Sequence, residues 1–269
     1  MTQRPTVTVS TLQAKKQAQE KITMLTAYDA SFAALMDKAG IDCILVGDSL
    51  GNVIHGAAST LGVSVDDVVY HCRCVASAIN GPLLVADMPF MSYHDRSTTA
   101  HNAHRLIAEG GASMVKLEGG GEERADTIHH LCAQGMAVCG HLGLTPQWVH
   151  RFGGFKVQGR SEQAAQQIET EAHQLAAAGI QLLVLEGVPA PLAQRISELI
   201  DVPVIGIGAG VNVDGQVLVL HDMLGMNPRP ARFVRDFLAT GGSIEQAFVH
   251  YIEAVRDGSF PAAAETYQQ

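Results

Sequence analysis

A chain of 269 residues that is 47% hydrophobic and 17% charged has the material for a large core and too few charges for a disordered segment. Its formal net charge of −9, with no basic stripe, argues against nucleic acid as a partner but leaves room for an anionic substrate held by local positive charge. No window approaches the roughly 18 uninterrupted apolar residues of a membrane span, and the N-terminal stretch with Arg4, Lys15, Lys16 and Lys21 lacks the apolar core of a signal peptide, so no membrane partner is expected.

In chain order the dominant pattern is strand then helix, repeated. Residues 22–26 predict a strand and 31–38 a helix stopped by Gly40. Residues 42–46 predict a second strand, followed by a Gly-containing loop through Gly62 and a helix from Ser64, with Asp66 and Asp67 in its first turn. A third strand over 83–86 precedes a loop, 88–93, and a helix from about 97 to 109. The fourth strand is expected over 113–117 with a helix over 122–134, and the fifth over 136–140, running into Gly140-His141-Leu142-Gly143. A glycine-containing loop then leads to an amphipathic helix over 162–178. The sixth strand, 181–185, is followed by a helix over 191–200, the seventh is 203–207, the eighth 217–220, and helices are expected across 230–257.

The strands are continuous Val/Ile/Leu runs, as expected where both faces are buried. Eight of them in about 250 residues, with no linker or composition shift, predict an α/β fold of the (β/α)8 TIM-barrel type. We read residues 1–269 as a single catalytic domain with an N-terminal extension and C-terminal helices. A doubly wound sheet is the rival, and the link between the seventh and eighth strands is too short for a proper helix. The five cysteines are scattered: Cys43 and Cys139 fall in strand-like runs, Cys72, Cys74 and Cys132 in helical stretches, with no second Cys/His pair for zinc. A reduced, cytoplasmic chain without disulfides is expected.

Four apolar runs end in acidic residues: at Asp48, Asp87, Glu118 and Glu186. In a parallel α/β protein all strand C-termini open on one face, so these groups converge. Asp48 and Asp87, from adjacent strands, offer oxygen-only ligation suited to Mg²⁺. Their plainer reading is helix capping. Lys116 and Glu118 are two apart and share one side of their strand, either in the pocket or as an internal salt bridge. Glu186, at the mouth of an apolar barrel, should have a raised pKa suited to a general base; otherwise it caps the next helix. Ser49 offers a hydroxyl to a substrate carboxylate, and His141 could orient a group, although a lone His is more often structural. Gly206-x-Gly-x-Gly210 reads as a weak phosphate cradle or as tight packing. Together the set suits a metal-chelated 2-oxoacid deprotonated beside its keto group, hence aldol-type chemistry.

Thr26-Ala27-Tyr28-Asp29, Val46-Gly47-Asp48-Ser49-Leu50-Gly51, Ala86-Asp87-Met88-Pro89-Phe90, Val115-Lys116-Leu117-Glu118-Gly119-Gly120 and Gly140-His141-Leu142-Gly143-Leu144-Thr145-Pro146-Gln147 resemble the ketopantoate hydroxymethyltransferase family. So do Lys156-Val157-Gln158-Gly159-Arg160, Leu183-Val184-Leu185-Glu186, Pro203 to Gly210 and Asp214 to Val219, in order, within a match running from about residue 10 to 260. The resemblance implies a barrel enzyme that moves a hydroxymethyl group from 5,10-methylenetetrahydrofolate to 3-methyl-2-oxobutanoate in pantothenate synthesis. It implies Mg²⁺ on Asp48 and Asp87, with Glu118 on or near the metal through water. Asp48, Ser49, Asp87 and Lys116 match the oxoacid contacts, and Glu186 the proton acceptor. It further implies a cytoplasmic homo-oligomer, typically a decamer.

Two departures stand out. Where the family usually reads Gly-His-Asp-Ser-Thr-Leu-Pro, this chain has Gly56-Ala57-Ala58-Ser59-Thr60-Leu61-Gly62, which would loosen a loop over the site and affect folate contacts and rate. Gly187 stands where the family often has Cys. An active enzyme is expected, since no metal or substrate group is missing. The alternatives are another Mg²⁺-dependent oxoacid barrel of the isocitrate lyase or phosphoenolpyruvate mutase group, which folate dependence would exclude, and a non-catalytic oxoacid-binding barrel.

Overall fold

A computed structural model describes residues 5–268, so Arg4 lies outside the described residues. The eight expected strands form: β1 (Ile22–Thr26), β2 (Cys43–Val46), β3 (Leu83–Asp87), β4 (Met114–Glu118), β5 (Val138–Gly143), β6 (Leu182–Glu186), β7 (Val204–Ile207) and β8 (Gly215–Leu218). They pair in parallel and in sequence order, and β1 closes on β8, so the sheet is a (β/α)8 barrel rather than doubly wound. The helices are α1 (Val9–Gln17), α2 (Ala30–Ala39), α3 (Leu50–Val53), α4 (Val65–Ala76), α5 (Arg96–His104), α6 (Glu122–Ala133), α7 (Val149–Phe152), α8 (Glu162–Ala178), α9 (Ala190–Leu199), α10 (Leu220–Met223), α11 (Leu238–Gly241) and α12 (Ile244–Arg256). Among the described residues no helix is long and apolar enough to cross a membrane.

Local chemistry sets several boundaries. Ser64 caps α4 by accepting the Asp67 N–H, while Asp67 returns a bond to the Ser64 backbone. Gly40 and Gly179 end α2 and α8 in the left-handed conformation that glycine adopts without a Cβ penalty. Between β7 and β8 there is no helix. The Asp214 carboxylate ties that short link, accepting from Val204 N–H and Ser197 Oγ and pairing with Lys16 Nζ at 2.7 Å.

Three expectations need correction. Within 230–257 the chain is helical over α11 and α12 alone; residues 230–237 are irregular, with Pro230 removing a backbone donor and the Asp236 carboxylate capping the turn at Leu238 and Ala239. The helix expected to reach 109 changes to a π-helical turn over Arg105–Glu109. Strand β5 lies further along than 136–140, which carries His141 into the strand.

Two apolar clusters follow from the two faces of each strand. Inward residues, including Met24, Leu45, Val85, Met114, Cys139, Val184 and Ile205, fill the barrel. Outward residues, including Leu25, Ile44, Ala86, Val115, Leu183 and Val204, pack under the helices. Helix α1 closes the lower end: Leu12 is fully buried within the inner cluster, and Lys15 and Lys16 pair with Asp42 and Asp214 just before β2 and β8. At the seam, Tyr251 of α12 donates to the carbonyls of Met24 and Gln216. Among the described residues no disulfide forms.

Because Leu12 is surrounded on all sides, Leu12→Ala should cost about 2–5 kcal/mol of stability. Urea unfolding would show it as a lowered midpoint at constant slope; a midpoint equal to wild type would contradict the plug.

Candidate active site

Strand alternation puts chemistry on the open end. Counting inward positions by twos from Val85, Met114, Cys139 and Val184 gives Asp87, Lys116 and Glu118, His141, and Glu186. Register then sets them side by side: Asp87 opposite Lys116, Glu118 opposite His141, and Gly143 opposite Glu186. All five, with Asp48 and Ser49, line one cavity at the top of the barrel, enclosing about 780 Å³ including the space at its mouth. The seven sequence-predicted residues are therefore together.

The cluster is buried and negatively biased. Lys116 Nζ lies 2.7 Å from Asp87 Oδ1, both side chains 4% exposed. The other Asp87 oxygen accepts the Asp48 backbone N–H at 2.9 Å. Gly47 makes that approach possible, since a Cβ there would stand 2.8 Å from Ser49 Oγ and 3.3 Å from Asp87 Oδ2. Burial, and then the charges of Asp87 and Glu118, push the Asp48 carboxyl well above the usual range. Burial likewise lifts Glu118 to about 7, with Lys116 opposing. Burial alone would lower the Lys116 ammonium, but the charges of Asp87, Glu118 and Asp48 outweigh it and raise the pKa.

His141 sits at the centre. Its Nδ1 is 3.1 Å from Lys116 Nζ, and an ammonium can only donate, so Nδ1 accepts. That leaves the ring proton to Nε2, which lies 3.3 Å from Glu186 Oε2, while Nδ1 is also 3.4 Å from Glu118 Oε1. Burial and the neighbouring Lys116 lower the His141 pKa, so the ring is neutral at pH 7. Burial raises Glu186, with His141 opposing. Gly143, with φ +89°, lets β5 pass close to this residue; a Cβ there would meet the Glu186 carbonyl at 2.3 Å.

Gln147 was not among the residues singled out by pattern, yet it organises the acidic group. Its Nε2 donates to Asp48 Oδ2 and the Met88 carbonyl, its Oε1 accepts from Tyr93, and its backbone N–H donates to Glu118 Oε2. Only Pro146, which starts the turn after β5, hinted that this residue is held in a fixed place. Tyr28 shares a 2.8 Å hydrogen bond with Ser49 Oγ and fixes it. The Gly206-x-Gly-x-Gly210 run is packing, not a cradle: a Cβ at 208 would meet Phe233 at 2.6 Å and one at 210 would meet Ala190 at 2.5 Å. None of the three lines the cavity. The Ala57–Ala58 loop is tied back to α3, with Ala57 N–H donating to the Gly51 carbonyl and Asn52 Nδ2 to that of Ala57.

The donor set suits a hard cation. Glu118 Oε1 is buried without a hydrogen-bond partner, and three carboxylates share one ammonium. Among the described residues no three His, Cys, Asp or Glu side chains form a closed cage. Mg²⁺ does not need one, because it takes one or two carboxylates and keeps several waters or substrate oxygens.

The sequence profile of the family described as ketopantoate hydroxymethyltransferase matches residues 6–263. The 3-methyl-2-oxobutanoate hydroxymethyltransferase of Halorhodospira halophila is 54% identical over 255 residues, covering 95% of this chain and 92% of that one. Its counterpart from Pseudoalteromonas atlantica is 54% identical over 264 residues, covering 98% and 99%. Among solved structures, phosphonopyruvate hydrolase complexed with oxalate and Mg²⁺ superposes with a TM-score of 0.62 at 15% identity, covering 96% and 93%, a likeness of fold.

Two substitutions should move stability in opposite directions in metal-free buffer. Lys116→Met leaves Asp87 buried and unpaired and should cost about 3–5 kcal/mol. Asp48→Asn removes one of three crowded negative charges and should raise Tm. Thermal unfolding of both variants checks the pair; a shift of the same sign in both would contradict the charge imbalance.

Proposed function

The chain belongs to the ketopantoate hydroxymethyltransferase family, and on that premise we propose that it transfers a hydroxymethyl group from 5,10-methylenetetrahydrofolate to 3-methyl-2-oxobutanoate. The observation that carries this reading is the single cavity holding Asp48, Asp87, Lys116, Glu118 and Glu186. Membership of the family favours it over the other oxoacid barrels, with which the chain shares its fold.

Lys116 and the Ser49 hydroxyl would hold the oxoacid, Lys116 by charge and Ser49 through an orientation set by Tyr28. Asp48 and Asp87, with Glu118 beside them, would bind Mg²⁺, which supplies positive charge against the substrate's keto and carboxylate oxygens. Glu186, near the apolar side chains of Val184 and Ile207, would take the proton from C3. His141 would steady it through Nε2–H. The C3 carbon then bonds to the one-carbon unit and a water supplies its hydroxyl, as the bonds from that carbon to N10 and N5 break and the two nitrogens take up the C3 proton and one proton of the water, so that tetrahydrofolate leaves. Water exclusion by the barrel strengthens each of these charges.

Proton NMR of 3-methyl-2-oxobutanoate in D₂O, with protein and Mg²⁺, tests the reading. Deuterium should enter C3 without folate, and ketopantoate should form once methylenetetrahydrofolate is added; neither event would reject it. Glu186→Gln should abolish both while sparing oxoacid binding, and loss of binding instead would remove Glu186 from the base role. With wild type, exchange requires the Glu186 carboxylate, whose pKa lies above the ordinary 4.5. Its acid limb should therefore lie above pH 4.5, activity falling as pH drops and the carboxylate protonates.

Mg²⁺ should stabilise the fold by mass action, about 2.7 kcal/mol at a hundredfold excess over Kd. Replacing both Asp48 and Asp87 with Asn should erase that Tm rise, and its persistence would place the metal elsewhere. We also propose a cytoplasmic homo-oligomer, a decamer by family resemblance, which light scattering after size exclusion would test.

A further inference from the structure

The cavity has a second end that the oxoacid chemistry does not use. Asp222, on α10 just after β8, lines it together with Phe233, Phe155 and Thr60. Asp222 follows β8 while Lys116 and Glu118 lie on β4, the strand across the closed eight-stranded barrel, and all three line the same cavity. One Asp222 oxygen accepts from Asn227 Nδ2 at 2.9 Å. Among the described residues no lysine or arginine pairs with this carboxylate, and its neighbour His221 is held neutral by burial. Burial also raises the Asp222 pKa, which reflects how little protein compensates the charge.

A part-buried carboxylate without a cation is ill-suited to an anionic oxoacid, which it repels. It suits a ligand that brings hydrogen-bond donors. The wall beside it is aromatic: the Phe233 ring lies against Gly208 at the end of β7, where a Cβ would be 2.6 Å from Phe233 Cδ1. Thr60 adds a buried hydroxyl without a protein partner. A flat ring with a donor edge fits this combination of groups.

We propose that Asp222 recognises the pterin ring of the folate co-substrate, its carboxylate accepting N3–H and the 2-amino group while Phe233 supports the ring face. This rests on the folate-dependent transfer proposed above. Thr60 Oγ1 is the hydroxyl available to the same ring. The folate's anionic tail then runs outward to solvent, and its one-carbon unit points across the cavity to the oxoacid C3. Binding at the two ends is separable, because Lys116 and Asp222 select ligands of opposite hydrogen-bonding character.

Steady-state kinetics on the full chain with Mg²⁺ tests the assignment. Asp222→Asn should raise KM for methylenetetrahydrofolate about tenfold or more, the worth of a hydrogen bond to a charged group, with the oxoacid KM unmoved. Phe233→Leu should raise the folate KM alone as well. The decisive probe is the 2-desamino-2-methyl analogue of methylenetetrahydrofolate, which lacks the 2-amino donor: wild type should bind it more weakly, and the Asp222→Asn penalty should shrink. A wild-type folate KM in Asp222→Asn overturns the assignment, as does an equal penalty with both folates, the mark of a structural role. Wild type that makes no ketopantoate from the folate refutes the transfer itself, a separate result.

Discussion

Three carboxylates and one ammonium are buried together at the open end of the barrel, and the rest of the molecule is arranged to hold that imbalance. Charges taken from water are costly unless neighbours compensate them. Here the Lys116–Asp87 pair neutralises one carboxylate, and the N–H groups of Asp48 and Gln147 satisfy single oxygens of Asp87 and Glu118. Asp48 and Glu118 are left to share what compensation remains, and burial raises the pKa of both. Crowding like charges in this way costs stability unless the frame around them is rigid.

A rigid frame is needed to keep like charges close. The closed sheet supplies it, since every strand is hydrogen-bonded on both sides and no edge is left to relax. Apolar side chains fill the interior beneath the polar layer, and α1 seals the other end with Leu12 and two lysine–aspartate pairs. Close approaches such as Gly47 beside Asp87 and Gly143 beside Glu186 show how little slack the upper layer has. Mobility there would cost catalysis, because reacting groups must be held within fractions of an ångström.

The cavity is divided by character. Its β2–β4 side is charged, its β6 side offers a carboxylate of raised pKa, and its β8 side adds a carboxylate without a cationic partner to an aromatic wall. The one cavity therefore presents groups of different polarity on its different sides.

Much of this was legible in the chain. Apolar runs ending in Asp87, Glu118 and Glu186 located strands β3, β4 and β6, and a period of two placed Lys116 and Glu118 on one face. Those features are local, because strand alternation depends only on neighbouring residues. Tertiary structure decided the rest. Gln147 binds Asp48 from ninety-nine residues away, and Asp222 reaches the cavity only because β8 closes onto β1. The glycines at 206–210 matched a cradle motif but were required by Phe233 and Ala190, contacts invisible in sequence. Irregular residues 230–237 follow from proline and a side-chain cap rather than from any periodicity. The sequence by itself determined the strands, their inward faces and the chemical types presented. Only the closed barrel decided which of those groups share one cavity, because distance between groups remote in sequence depends on how the sheet closes and not on the order of the residues.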